Sequence, residues 1–122
     1  MATRAQHEQQ ARQNLGLHEH LAGLEAHLDW AVTALFYSAL HYIDAFLLPI
    51  DPRSHRHRNE IISRHPQLAT IYRQYRLLLD RSRDTRYECV YPTLDQLRFY
   101  RQQLYDPIQA HMVVLLQSSD TQ

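Results

Sequence analysis

Trp30-Ala31-Val32-Thr33-Ala34-Leu35-Phe36-Tyr37-Ser38-Ala39-Leu40-His41 decides how this chain folds. Extended to Leu48, its apolar and small residues Trp30, Ala31, Ala34, Leu35, Ser38, Ala39, Tyr42 and Phe46 recur at helical spacing and cover more than half of a helix circumference. A helix apolar over so much of its surface belongs at the centre of a bundle, so the pattern predicts a central helix over 29–48. Asp29 suits its N-cap, and Pro49 and Pro52 end it. The small side chains of Ala34, Ser38 and Ala39 let a neighbour come close.

Working outward, Leu17, Leu21, Leu24 and Leu28 recur at spacings of four, three and four, which predicts a first helix over about Arg4–His27 with these leucines inward. Its Gln-rich start is expected to fray, and Gly16 and Gly23 weaken it. After the central helix a third begins behind Ser54, a second N-cap residue, and runs toward Ser82. Residues before proline avoid the α region, so His65-Pro66 predicts a break, with the helix restarting at Pro66. Beyond it Leu68, Ile71, Tyr72, Tyr75, Leu78 and Leu79 form one stripe. Residues 83–92 read as a loop. Thr93 and Gln96 then have the spacing of a capping box, opening a last helix along Leu94, Leu97, Leu104, Ile108, Met112 and Leu115 that Pro107 must kink. The prediction is an all-α fold, an antiparallel bundle of four to five helices in a single domain over 1–122, with 1–10 and 117–122 loose.

Composition agrees. A chain of 122 residues fits one domain, and two Gly with five Pro are too few for the turns of an all-β fold. No apolar run reaches a membrane span, and Met1–Asn14 lacks the apolar centre of a signal peptide. The one cysteine, Cys89, has no internal disulfide partner. The default expectation is a cytoplasmic protein. The formal net charge is zero, which excludes a global pull on nucleic acid. All 13 basic residues are Arg, whose planar fork suits phosphate and carboxylate. They are unevenly placed: over 53–86 nine Arg face only Glu60, Asp80 and Asp84, with His55, His57 and His65 added. Such a stretch is either an electrostatic footprint for phosphates or a solvated helix face.

Three segments together carry a family resemblance. The central helix resembles the W-x5-F-Y-x-A-x-H core of HEPN domains through Trp30, Phe36, Tyr37, Ala39 and His41. Ser54, His55 and Arg58 are similar to the S-H-x-x-R of small bacterial members. Ser82-Arg83-Asp84-Thr85-Arg86-Tyr87 resembles their S-x-x-A-R-Y, with Thr85 in place of Ala. The resemblance implies a HEPN-like bundle that forms a homodimer and acts around RNA or nucleotides. Members serve as metal-independent ribonucleases, in toxin–antitoxin or defence systems, or as non-catalytic partners of nucleotidyltransferases.

The family's ribonuclease motif is an Arg, often with a polar residue after it, and then a His; Arg58-Asn59 and His65 match it. In an unbroken helix the two lie about 700° apart in angle and about 10 Å along the axis, on one face. The chemistry would be transesterification: a neutral His takes the 2′-hydroxyl proton while Arg stabilises the phosphoryl charge. The counterpart before the last helix, Arg86, has Tyr87 and Tyr91 after it but no His at that spacing. The favoured expectation is therefore a dimerising binding and assembly module that engages RNA, a nucleotide or a partner protein through the Arg-rich 53–86 surface, with His55, His57, Arg58, Asn59, Arg83, Arg86 and Tyr87 as binding residues. The alternative is the ribonuclease with Arg58 and His65 catalytic. Against these stand structural readings: Arg86 pairing with Asp44, Tyr87 closing the core edge, and His41 satisfied within the core. His18-Glu19-His20 and His55-Arg56-His57 place their imidazoles about 200° apart on a helix, so neither chelates. No metal and no cofactor is expected. Tyr72, Tyr75, Tyr87, Tyr91, Tyr100 and Tyr105, lying among Arg residues, suit either an interface or the core.

Overall fold

The computed structural model describes residues 1–120, which form helices and turns without a strand. Among them are α1 (Arg4–Ala22), α2 (Leu28–Leu47), α3 (His55–Arg64), α4 (Tyr72–Tyr87), α5 (Leu94–Phe99) and α6 (Asp106–Asp120). Short 3₁₀ turns, Glu25–His27 and Ala69–Ile71, lead into α2 and α4. A π-helical turn, Tyr100–Tyr105, joins α5 and α6 into one rod.

The central helix lies within a residue of where the sequence places it, with Asp29 inside its first turn and not at its N-cap, and fifteen of its twenty residues are buried, Phe36 among them. Around it Leu35, Ile43, Leu78, Leu79, Ile108 and Met112 form the main core. Chain direction follows from the pairs that meet. His7, Ala11 and His18 of α1 touch His41, Ser38 and Ala31 of α2, so these helices are antiparallel. The C-terminal rod runs parallel to α2, since Leu97 packs beside Leu28 and the Tyr105 hydroxyl meets Ser38. α4 returns antiparallel, ending where Arg86 meets Tyr37. No helix among the described residues is long and apolar enough to cross a membrane.

Several expectations are corrected. The first helix does not fray at its start: Thr3 and Gln6 form a reciprocal capping box, and His7 and Ala11 are buried. The expected leucine stripe faces inward only in part, at Leu21 and Leu28, which pack beside Val32 and Leu97. Leu17 and Leu24 are exposed, while His7, Ala11 and His18 face α2. Small and hydrogen-bonding residues win there because α2 offers Ser38 and Ala39 at close range. Trp30, expected in the core, is 57% exposed, because the apolar arc of α2 is wider than its neighbours cover. The loop expected over 83–92 is shorter, since α4 continues to Tyr87. Ser82 and Thr85 donate their hydroxyls to the Leu79 and Ser82 carbonyls, and Arg86 Nε donates to the Ser82 carbonyl, which steadies the last turn. At the other end α6 continues through 117–120, and residues 121–122 of the expected loose tail lie outside the described residues.

The break at His65 is present. His65 has extended backbone (φ −75°, ψ 126°) and ends α3, but Pro66 lies in a turn and α4 starts only at Tyr72. Pro107 lacks the N–H that an α-helix would direct to residue 103. The turn ahead of it widens to π spacing, and the rod continues.

Candidate functional site

Ser54 caps α3 by accepting from the His57 backbone N–H at 3.0 Å. One turn on, Arg58 points inward and is only 7% exposed. It grips Asp44 of α2 with two parallel bonds, Nε to Oδ1 at 2.8 Å and Nη2 to Oδ2 at 3.0 Å. Nη2 also donates to the Pro52 carbonyl at 3.2 Å. Burial is the largest single influence on Arg58 and opposes its charge, but the hydrogen bonds and the negative charge of Asp44, with a smaller part from Tyr75, together outweigh it and its pKa is raised. The adjoining Tyr75 phenol is buried, which pushes its pKa up and keeps it neutral. Asp44 therefore pairs with Arg58 and not with Arg86, the partner expected from the sequence.

Arg86 lies at the end of α4, half-buried. Its Nη1 donates to the Tyr37 hydroxyl at 2.9 Å, and its guanidinium lies over the Tyr37 and Tyr87 rings at 5.5 and 5.4 Å. No carboxylate pairs with it among the described residues, nor with Arg83, which is exposed one turn earlier. His55 sits where α3 faces these two. Its ring packs against Phe36 at 5.8 Å, and its Nδ1 is enclosed without a hydrogen-bond partner. Burial first, then the charges of Arg58, Arg83 and Arg86, lower its pKa and hold the imidazole neutral.

Beside His55 a depression of about 270 Å³ opens between α3 and α4, lined by Arg56, Asn59, Tyr72, Arg76 and Arg83 among others. Asn59 is 8% exposed and its Oδ1 has no partner. Arg56 and Arg76 are tied to Glu60 and Asp80 along their own helices at 3.7 and 3.4 Å. Such exposed pairs are weak and readily re-form around a competing anion. The arrangement offers several guanidinium groups, an amide and a neutral imidazole around one concavity, a set that suits phosphate oxygens.

The structure thus brings His55, Asn59 and Arg83 of the expected site residues around one depression, with Arg86 near His55 but lining a separate hollow beside Asp29 and Trp30. Arg58 stands behind them, held in the core. His57 is exposed on α3. Tyr87 does not close the core edge: it is 71% exposed and flanks Arg86. His65 lies away at the far end of α3, its Nδ1 accepting from the Gln67 backbone N–H at 3.0 Å and its ring against Phe46. Arg58 and His65 both turn toward α2, but at separate places: Arg58 meets Asp44 and His65 meets Phe46. His41 is half-buried and meets His7, Nδ1 to Nδ1, at 3.0 Å. Sequence reasoning missed Tyr37 and Arg76. The second had a signal, since Arg76 and Arg83 are seven residues apart and so share one face of α4. No family model, curated protein or solved structure matched the chain when it was compared with them.

Proposed function

We propose that this chain is a HEPN-like, dimerising binding module whose α3–α4 face engages RNA or a nucleotide through its phosphates, in a toxin–antitoxin or defence setting in the cytoplasm. The observation that carries this reading is the meeting of Arg83, which no carboxylate neutralises among the described residues, with Arg56, Arg76 and the neutral His55 around one depression, while Arg86 adds its charge near His55 from outside the lining. Arg83 and Arg86, left without carboxylate partners near the end of α4 on a protein of zero net charge, supply a local attraction for phosphodiesters that the whole molecule lacks. Tyr87, exposed beside Arg86, adds a ring on which a base can stack.

Dimerisation belongs to the proposal as well. The exposed Trp30 borders an apolar groove of about 380 Å³ between α1 and α2, lined by Leu17, Leu21, Ala34 and Tyr37 among others. Asp29 and Arg86 flank Trp30 on its other side, so the exposed Trp30 stands between an apolar groove and a polar hollow. A nucleotidyltransferase partner would compete for the same face. The ribonuclease alternative with Arg58 and His65 has less support, because Arg58 spends its donors on Asp44 and Pro52 and His65 is remote from the depression.

The test is fluorescence anisotropy of a labelled single-stranded RNA over a range of salt, with EDTA present and the RNA inspected on a gel afterwards. Binding should weaken with salt. Arg83→Glu should weaken it further and flatten the salt slope by about 0.7 for each phosphate left without its arginine. An RNA affinity unchanged in Arg83→Glu would reject the proposed face. Cleavage abolished by His65→Ala would reinstate the alternative.

A further inference from the structure

The C-terminal part of α1, the turn into α2, the start of α5 and the π turn enclose a cleft of about 970 Å³, none of whose lining residues borders the α3–α4 depression. The phosphate-binding face makes no use of it. Its key group is His18, which lines the cleft and is 3% exposed. Nδ1 of His18 lies 2.8 Å from the Ala31 carbonyl oxygen. A carbonyl can only accept, so Nδ1 carries the proton and the lone pair sits on Nε2. Nε2 has no hydrogen-bond partner among the described residues. Burial, as the larger cause, and the nearby Arg101 charge lower the His18 pKa and keep that lone pair free.

The second group is Arg101, on the π turn. Its Nε donates to Asp106 at 2.9 Å and its Nη1 faces Glu19 at 3.6 Å, which fixes the plane of the guanidinium before any ligand arrives. Arg101 can only donate. The buried Leu28 and Leu97 give the cleft an apolar floor. Around the rim, Glu19 and Glu25 balance Arg98 and Arg101, so the cleft does not select for net charge. π-helical turns concentrate at functional sites, and this one supplies both Arg101 and Gln102 to the cleft.

We infer that this cleft is a binding site for an uncharged flat heterocycle with a cyclic imide or lactam edge, an N–H next to a C=O. The ligand N–H would go to His18 Nε2, its C=O to Arg101, and its ring face to Leu28 and Leu97. Free pyrimidine nucleosides and flavin-type rings both present such an edge, and one probe of each kind tells them apart.

The experiment is to titrate uridine and, separately, riboflavin into the full chain while following the histidine ring signals by NMR. Each titration is repeated with the 3-methyl analogue, which lacks only the N–H. At least one parent compound should move the His18 signals saturably, with the methyl analogue about tenfold weaker or worse. His18→Asn places an amide N–H where Nδ1 was and deletes the free acceptor. It should keep the bond to Ala31 and lose binding. No saturable shift of His18 with either parent overturns the inference, as does equal affinity for parent and methyl analogue, or for wild type and a folded His18→Asn. The analogue comparison needs no variant, so misfolding of His18→Asn leaves the test intact. RNA binding at the α3–α4 face is independent of all these outcomes.

Discussion

Arg58 on α3 and Arg83 on α4 come from the same Arg-rich segment, yet one is a strut and the other a free charge. Arg58 is enclosed, held by two bonds to Asp44 and one to a carbonyl. Arg83 stands in water with no carboxylate within reach among the described residues. The number of charges in a segment therefore says little about its function. What matters is which of them find a partner inside the fold.

Removing the partner of the strut should have the largest effect. Asp44→Ala leaves Arg58 buried and uncompensated, and should cost about 3–5 kcal/mol of stability, measurable by urea unfolding. A cost below about 1 kcal/mol would show that water reaches Arg58 and that the contrast with Arg83 is false. Arg86, half-buried, should fall between the two. Arg86→Ala removes the bonds to Tyr37 and Ser82 and should cost about 1–2 kcal/mol, along with RNA affinity.

Acid sharpens the comparison from the other side. His18, His41 and His55 all have lowered pKa values, with burial the first cause in each. In the unfolded chain they take up protons near pH 6.5, and in the folded chain only at lower pH. The unfolded state thus binds more protons just below that point, and stability falls as pH drops from about 6.5 toward the folded values. Thermal midpoints should be level above about pH 7.5 and decline on acidification. His55→Gln should remove part of the decline; a midpoint that rises with acid would contradict the burial of these rings. The smallest effect belongs to the free charge. Arg83→Ala should change stability by no more than about 0.5 kcal/mol while lowering RNA affinity, the reverse of the pattern at Asp44.

Much of the fold was legible because it rests on local rules. The central helix follows from its wide apolar arc, the Thr93–Gln96 cap from two residues, and the end of α3 from the proline after His65. What escaped depends on neighbours. A helix with apolar residues over most of its surface does not say which strip stays wet, so Trp30 was misplaced. Nor does a leucine stripe reveal that α2 will offer α1 a hydroxyl and a carbonyl, which is why His7, Ala11 and His18 face inward while Leu17 and Leu24 do not. The site was half legible. His55, Asn59, Arg83 and Arg86 stood out by residue type and position, but nothing in nine similar arginines marks Arg58 as the one that Asp44 takes inward. His18 stood out only as half of a poor chelating pair, because its role depends on a cleft between segments distant in the chain.

The wide turn at Tyr100–Tyr105 has an effect on phase. Leu97 and Leu116 are both buried, nineteen residues apart. At about 100° per residue, an unbroken α-helix would swing Leu116 about 100° off the line through Leu97, out toward solvent. A π turn accommodates one residue more than an α turn and so absorbs one step of that size. Deleting a single residue between Tyr100 and Tyr105 would therefore leave eighteen steps from Leu97 to Leu116, five whole turns, and the apolar side chains from Ile108 onward would keep their line against α2 without a wide turn. Adding one residue there would act like a twist applied to a camshaft: all of those side chains would turn away from α2 together, although none of them had been changed.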